Sequence, residues 1–324
     1  MELHQDVLQK DKLEQKPTRD GYGEALVELG KENPNVVVLG ADLTASTRCD
    51  WFRKEFPDRF IECGIAEQNM MSIASGLAMV GKVPFASTYG VFCPGRNWDQ
   101  VRICVCYNKA NVKFTGAHTG VSVGADGATH QALEDIAITR CIPNLTVLAP
   151  CDSLETKKAT LAAGRMQGPV YLRFAREATP VFTVENTPFN IGQAQIFKEG
   201  NDVAIIACGP TVHEALLAAD QLDKEGISTA VVNNPSIKPI DDKTISEIAQ
   251  KTGAVVTAED HQVMGGMGSA VCEVLAKQNP VPVEMVGVQD RFGESGTPDE
   301  LMAEFHLIAK DIIESVKKVI KRKK

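Results

Sequence analysis

The stretch RFIECGIAEQNMMSIASGLAMVGKVPFAST, residues 59–88, decides the fold. A short apolar run at its start, a helical stretch of small and apolar residues from Glu67 to about Val80, and a second apolar run ending in Thr88 spell strand, helix, strand. Runs of the same kind recur on both sides. NVVVLGAD at 35–42, VKFTGAH at 112–118, LTVLAP at 145–150 and PVYLRFA at 169–175 read as further strands. The segments 21–32, 67–80, 97–108, 130–140 and 152–164 read as the helices between them. Apolar strands alternating with helices predict a parallel sheet covered on both faces, an α/β fold.

Turn formers crowd residues 179–200, TPVFTVENTPFNIGQAQIFKEG, after which the alternation resumes. DVAIIACGPTVHEALLAADQL reads as strand and helix, STAVVNNPSIKPID and GAVVTAED as strands, and GGMGSAVCEVLAK as a helix opened by glycines. A second α/β domain follows, which suits a chain of 324 residues. No repeat of solenoid period appears.

Composition narrows the class. Hydrophobic residues make up 44% and charged residues 23% of the chain, with a net charge of −8. No apolar run approaches the ~20 residues that span a bilayer, so no membrane partner is expected. The acidic balance argues against nucleic acid as a partner, and the basic KKVIKRKK at the end reads as a solvated helix terminus. The first residues, MELHQDVLQKDKLEQKPTRD, lack the apolar core of a secretion signal, so a cytoplasmic protein is expected. Nine cysteines without a CxxC pair read as buried free thiols.

Several residues could carry chemistry. Glu67 opens a helix, where a carboxylate gains from the exposed amides and the positive dipole end; alternatively, burial among Ile65, Ala66, Met70 and Met71 raises its pKa and lets it share a proton with a ligand nitrogen. Tyr89 and Phe92, three apart and flanked by Gly90 and Gly95, are either core aromatics or a slot for a flat ring. Gly116, Gly120, Gly124 and Gly127 mark 116–130 as a loop beyond a parallel strand, where open α/β sheets place ligands. It carries His118, Asp126 and His130. Their spacing matches no zinc pattern, so no metal ligand is assigned; hydrogen bonding to a polyhydroxylated or phosphorylated substrate and proton transfer suit them better, with a turn-forming Asp126 and a helix-capping His130 as the alternative. Arg19, Arg173 and Arg176 stand near element boundaries and suit either a phosphate or surface ion pairs.

GIAEQNM, FASTYGVF, VGADGATHQALEDIAITRCIPNLTVLAPCD and VQDRFGESG (Val288 to Gly296), taken in order, resemble the C-terminal part of transketolases, over about Pro17 to Leu307. The resemblance implies two three-layer α/β domains: a pyrimidine-binding thiamine diphosphate fold at 17–185 and a transketolase C-terminal domain at 201–324, with an N-terminal extension at 1–16 and a linker at 186–200. It implies that Glu67 hydrogen-bonds a ring nitrogen of the aminopyrimidine and that Phe92, with Tyr89 beside it, stacks on that ring. It also implies substrate contacts from His118 and Asp126 to sugar hydroxyls, from His130 to the reacting oxygens, and from Arg19, Ser46 and Arg176 to a phosphate. Two departures stand out: Gly95 where many members have an aromatic, and Ala125 where an acid precedes the aspartate.

The GDG motif with an Asn 25 to 30 residues later, by which thiamine diphosphate enzymes hold magnesium and the diphosphate, is absent from this sequence; GADGATH does not replace it, since Asn144 follows Asp126 too closely. The resemblance therefore implies a split transketolase: an N-terminal partner subunit binds the diphosphate and magnesium, the assembly is α2β2-like, and sugar phosphates are the substrates. The competing expectations are the β subunit of a 2-oxo acid dehydrogenase, a deoxyxylulose phosphate synthase-like enzyme, and a non-catalytic regulatory partner. DGATHQALED favours transketolase over the first, and the ordinarily longer chain weighs against the second. The joint presence of Glu67, Phe92 and both loop histidines weighs against the third.

Overall fold

The computed structural model describes residues 2–323. The first sheet contains β2 (Val36–Gly40), β3 (Phe60–Glu62), β4 (Val83–Tyr89), β5 (Lys113–Ala117), β6 (Thr146–Leu148) and β7 (Val170–Phe174), hydrogen-bonded in the order β6-β7-β5-β4-β2-β3 and all parallel. The four expected strands are present, each trimmed by one or two residues at its ends. β2, β4, β5 and β7 are buried along their whole length, which is why they read as continuous apolar runs and not as alternating ones.

The second sheet is smaller: β9 (Gln195–Lys198), β10 (Val203–Ala207), β11 (Thr229–Asn233), β13 (Val255–Gln262) and β14 (Val283–Val288), in the order β14-β13-β10-β11-β9, parallel except for β9. The stretch read as one strand, STAVVNNPSIKPID, is two. Its second part, β12 (Ser236–Lys238), leaves the second sheet and pairs antiparallel with β6, extending the first sheet to seven strands. The domains are thus joined by backbone hydrogen bonds, and a single apolar cluster runs from Leu39, Phe114 and Val147 to Ile206, Val232 and Val255. The segment before residue 17 also lies against the rest: β1 (Gln15–Pro17) pairs antiparallel with β8 (Ala178–Pro180), and the Val7 carbonyl lies 2.8 Å from His213 Nε2.

Helix α1 (Thr18–Glu32) packs along Ser153–Arg165, close enough that a Cβ at Gly21 would lie 1.8 Å from the Ser153 carbonyl oxygen. That approach holds the start of α1, and so Arg19, beside the first sheet. The helix expected over 97–108 forms as Trp98–Gln100 followed by a wider π-helical winding, Val101–Tyr107. The helix expected over 130–140 begins only at Asp135. Before it, Ala132 bridges to Thr119 and its carbonyl accepts the Gly120 N–H, so residues 130–134 belong to the glycine-rich loop. The helix Glu67–Met79 is not buried all round: Gln68, Asn69, Ser72 and Gly76 are exposed, and Met79 is 65% exposed. The nine cysteines are free, as expected, but Cys141 is exposed and three others are only partly buried.

Candidate active site

The residues singled out gather beyond the carboxyl ends of the first sheet. β4 delivers Tyr89, and the turn that follows delivers Phe92; β5 delivers His118 as the next residue, held at φ +57°. Arg19 comes from the first turn of α1, and Ser46 from the loop after β2. Strand ends of a parallel sheet converge there while the helices turn away, leaving a crevice.

His118 is at the centre of the group. Its ring stacks on Tyr89 at 3.9 Å and 22°, and Tyr89 in turn lies nearly parallel to Phe92 at 6.0 Å. His130 stands edge-on to Phe92 at 5.7 Å and to Tyr89 at 6.0 Å, with its Nδ1 2.8 Å from Thr129 Oγ1. Arg19 Nη1 reaches His118 Nε2 at 3.4 Å and donates to the Ser46 carbonyl at 3.0 Å. Because a guanidinium only donates, Nε2 is the acceptor and the proton sits on Nδ1, a buried donor without a partner. Burial, then the charges of Arg19, Arg176 and Arg48, lower the His118 pKa to about 2. The ring is therefore held neutral, with Nδ1 able to donate a hydrogen bond.

Glu67 occupies the first position of its helix and is 2% exposed, with Met70 and Met71 fully buried beside it. Ile65, expected in the same apolar ring, turns to solvent. The carboxylate is not alone: Arg96 Nη1 donates to Glu67 Oε2 at 2.8 Å while its guanidinium lies over the Phe92 ring at 4.6 Å. Asn97 Nδ2 donates to the Glu67 carbonyl at 3.1 Å, fixing this turn against the helix start. Sequence reasoning missed Arg96. Its spacing of four from Phe92 was the available signal, since the Arg96 N–H donates to the Phe92 carbonyl at 3.1 Å as in a helical turn. The glycine before it is sterically required here, because a Cβ at Gly95 would come within 2.1 Å of the Val91 carbonyl oxygen.

Asp126 and Arg176 pair with each other, Oδ2 to Nη1 at 3.1 Å, each side chain about a third exposed. Arg176 also reaches Glu177 at 3.2 Å. Arg173 does not join the site. It lies inside β7, 4% exposed, with Nε on Asp135 Oδ2 at 2.9 Å and Nη2 on the Asp260 carbonyl at 2.5 Å, which makes it a joint between the domains. Arg48, not singled out from the sequence, binds Asp20 through Nε at 2.6 Å and adds positive charge near Arg19 and His118. Among the described residues no group of three or more His, Cys, Asp or Glu could hold a metal ion, and no helix is long and apolar enough to cross a membrane.

Comparison with known proteins identifies the family. Residues 14–181 match the transketolase pyrimidine-binding domain and residues 192–312 the transketolase C-terminal domain. A putative transketolase C-terminal section of Methanocaldococcus jannaschii is 46% identical over 94% of this chain and 97% of its own length. A 6-deoxy-6-sulfo-D-fructose transketolase subunit of Clostridium sp. (strain MSTE9) is 42% identical over 96% of this chain and 97% of its own. The solved structure of a split gene transketolase, described as an inactive beta4 tetramer, superposes with a TM-score of 0.90 at 47% identity, covering 95% of this chain and all of that one. With family models matching both domains and these relatives aligned almost end to end, the chain belongs to the transketolase family, a family of transferases.

Proposed function

We propose that this chain is the C-terminal subunit of a cytoplasmic thiamine diphosphate-dependent transketolase, transferring a two-carbon ketol unit from a ketose phosphate to an aldose phosphate. It is active only when joined by an N-terminal subunit that holds magnesium and the diphosphate, in an α2β2-like assembly with active sites at the interface. The observation that carries this reading is the disposition of Arg96: a flat, cationic, proton-donating group lies on Phe92 and donates to the buried Glu67. Those are the properties of a protonated aminopyrimidine, so Arg96 stands in for the ring whose site it covers. Its side chain is 47% exposed.

Bound there, thiamine diphosphate supplies the nucleophilic carbon that accepts the ketol unit. Glu67 would hydrogen-bond the ring nitrogen through Oε2, and the apolar flank of Met70 and Met71 keeps water from competing for it. Phe92 presents the stacking face, with Tyr89 as its backing. His118 donates from Nδ1 to a sugar hydroxyl, Asp126 accepts from another, and His130 serves the reacting oxygens from the edge of both aromatic rings. Arg19 and Arg176, with the Ser46 loop, receive the far end of the sugar; a phosphate, with two charges, uses this pair better than a sulfonate with one. Arg176 exchanges its bond to Asp126 for the phosphate, which frees Asp126 for the hydroxyl. The split arrangement is supported by end-to-end alignment with relatives described as a C-terminal section and a split gene product.

The test is reconstitution. The chain is mixed with the GDG-bearing polypeptide, thiamine diphosphate and magnesium, and ketol transfer is followed over a panel of ketose and aldose phosphates. Transfer in the mixture and none from either chain alone is expected; an assembled mixture that decarboxylates oxo acids and transfers no ketol unit would contradict the reading.

A further inference from the structure

The glycine-rich loop that carries His118, Asp126 and His130 belongs to the first domain, yet several of its fixed points lie on the second. At the carboxyl end of β13, Asp260, 1% exposed, accepts the Val121 N–H at Oδ1 (2.8 Å) and the Ser122 hydroxyl at Oδ2 (2.9 Å). Gly120, at φ +83°, admits this contact: a Cβ there would lie 1.9 Å from Asp260 Oδ2. The other limb of the loop is held in the same way. Gln131, 3% exposed, donates through Nε2 to the Val121 carbonyl at 3.0 Å and to the Glu294 carbonyl at 2.9 Å, and a Cβ at Gly293 would lie 1.6 Å from its Oε1. Just beyond, the Gln262 N–H donates to the Leu133 carbonyl, and His261 Nε2 accepts the Ile136 N–H. Asp260 is itself fixed by Arg173, which binds its carbonyl.

We propose that Asp260 and Gln131 are positioning residues for substrate: the second domain clamps the loop at both ends and thereby sets where His118, Asp126 and His130 stand. The proposal rests on the reading of those three as substrate contacts. It gives the second domain, which contributes none of the singled-out residues, a defined task. A loop with three left-handed glycines, at 120, 124 and 127, has many conformations open to it, and buried charge-assisted bonds remove that freedom before substrate arrives. Glu67 and its partners Arg96 and Asn97 lie outside the clamp, so the hold on the cofactor's ring nitrogen and the positioning of substrate are separately adjustable.

The test uses Asp260→Ala and Asp260→Asn in the complex with the partner subunit. Amide exchange of residues 119–131 is expected to quicken about tenfold or more in Asp260→Ala, with KM for the phosphorylated sugar rising about tenfold, while affinity for thiamine diphosphate and the exchange of residues 67–80 stay unchanged. Asparagine can accept from Val121 with its oxygen and donate to the Ser122 hydroxyl with its amide, so Asp260→Asn should restore KM to within about threefold of the parent. Should Asp260→Ala fail to fold, Ser122→Ala and Gln131→Leu remove one anchor each and should raise KM about threefold with the same localised exchange. Unchanged loop exchange, or KM and cofactor affinity worsening together in every variant, would overturn the clamp. Exchange is read without turnover, so a parent complex lacking ketol transfer would refute the functional reading and still leave the clamp measurable.

Discussion

The two sheets follow one plan, but their carboxyl ends differ. Beyond the first sheet, polar groups are left unspent: His118 Nδ1 and Arg19 Nε have no partner, and Arg96 and Arg176 are partly exposed. At the end of β13 in the second, they are consumed. Glu259, Asp260 and His261 at the end of β13 are at most 1% exposed; Glu259 accepts the Met267 and Gly268 N–H groups that open the following helix, and His261 Nε2 accepts the Ile136 N–H. The helix opened by GGMG thus spends its anion-binding amides on its own carboxylate. Strand ends of a parallel sheet become a ligand site only where the donors and acceptors remain available; where they close on one another, they hold domains together.

Arg173→Ala leaves Asp135 buried beside Tyr171 without its cation, and unfolding free energy measured by denaturant titration should fall by about 3–5 kcal/mol; a loss under ~1 kcal/mol would show the joint to be expendable. At the unspent end, Glu67→Gln in the assembled enzyme should fold and lose about a hundredfold or more in kcat. Near-normal turnover would remove Glu67 from proton handling. Arg176→Ala should raise KM for phosphorylated sugars about tenfold with kcat within about threefold, and an unchanged KM would take it out of the phosphate site.

The smallest effect is a pH dependence at the domain junction. Glu155, buried, accepts the Cys151 N–H and the Asn233 side-chain amide of the second domain, and burial raises its pKa from 4.5 to about 7. The folded state therefore binds more protons than the unfolded one between those values, so the group's stabilising share is complete below pH 4.5 and disappears as pH rises through about 7. Glu155→Gln should cost more stability at pH 5 than at pH 8, by on the order of 1 kcal/mol. Equal losses at both pH values would refute the assignment.

Much of this was legible in the sequence for a physical reason: strands buried on both faces must be continuously apolar, so β2, β4, β5 and β7 announce themselves. The glycine-rich loop was legible too, because neither strand nor helix accepts glycine so often. What stayed hidden depends on partners distant along the chain. The crossing of β12 into the first sheet is a pairing with β6 some 90 residues earlier; the late start of the helix at Asp135 follows from Ala132 bonding the loop. Tyr89, Phe92, His118, His130 and Arg19 do meet in space, whereas the Arg96 bond to Glu67 and the mutual pairing of Asp126 with Arg176 could be seen only in three dimensions. Arg173 illustrates the opposite limit: an arginine read near a boundary proves to be interior, because Asp135 and the Asp260 carbonyl pay its desolvation.

The central claim is that this chain contributes the pyrimidine-facing wall of a thiamine diphosphate site and another subunit contributes the rest. Calorimetric titration of thiamine diphosphate with magnesium into the isolated chain, into the GDG-bearing subunit and into their complex tests it most directly. Tight binding by the complex alone, weakened when Glu67→Gln or Phe92→Ala is introduced, is the predicted result. Equally tight binding by the isolated chain would contradict it.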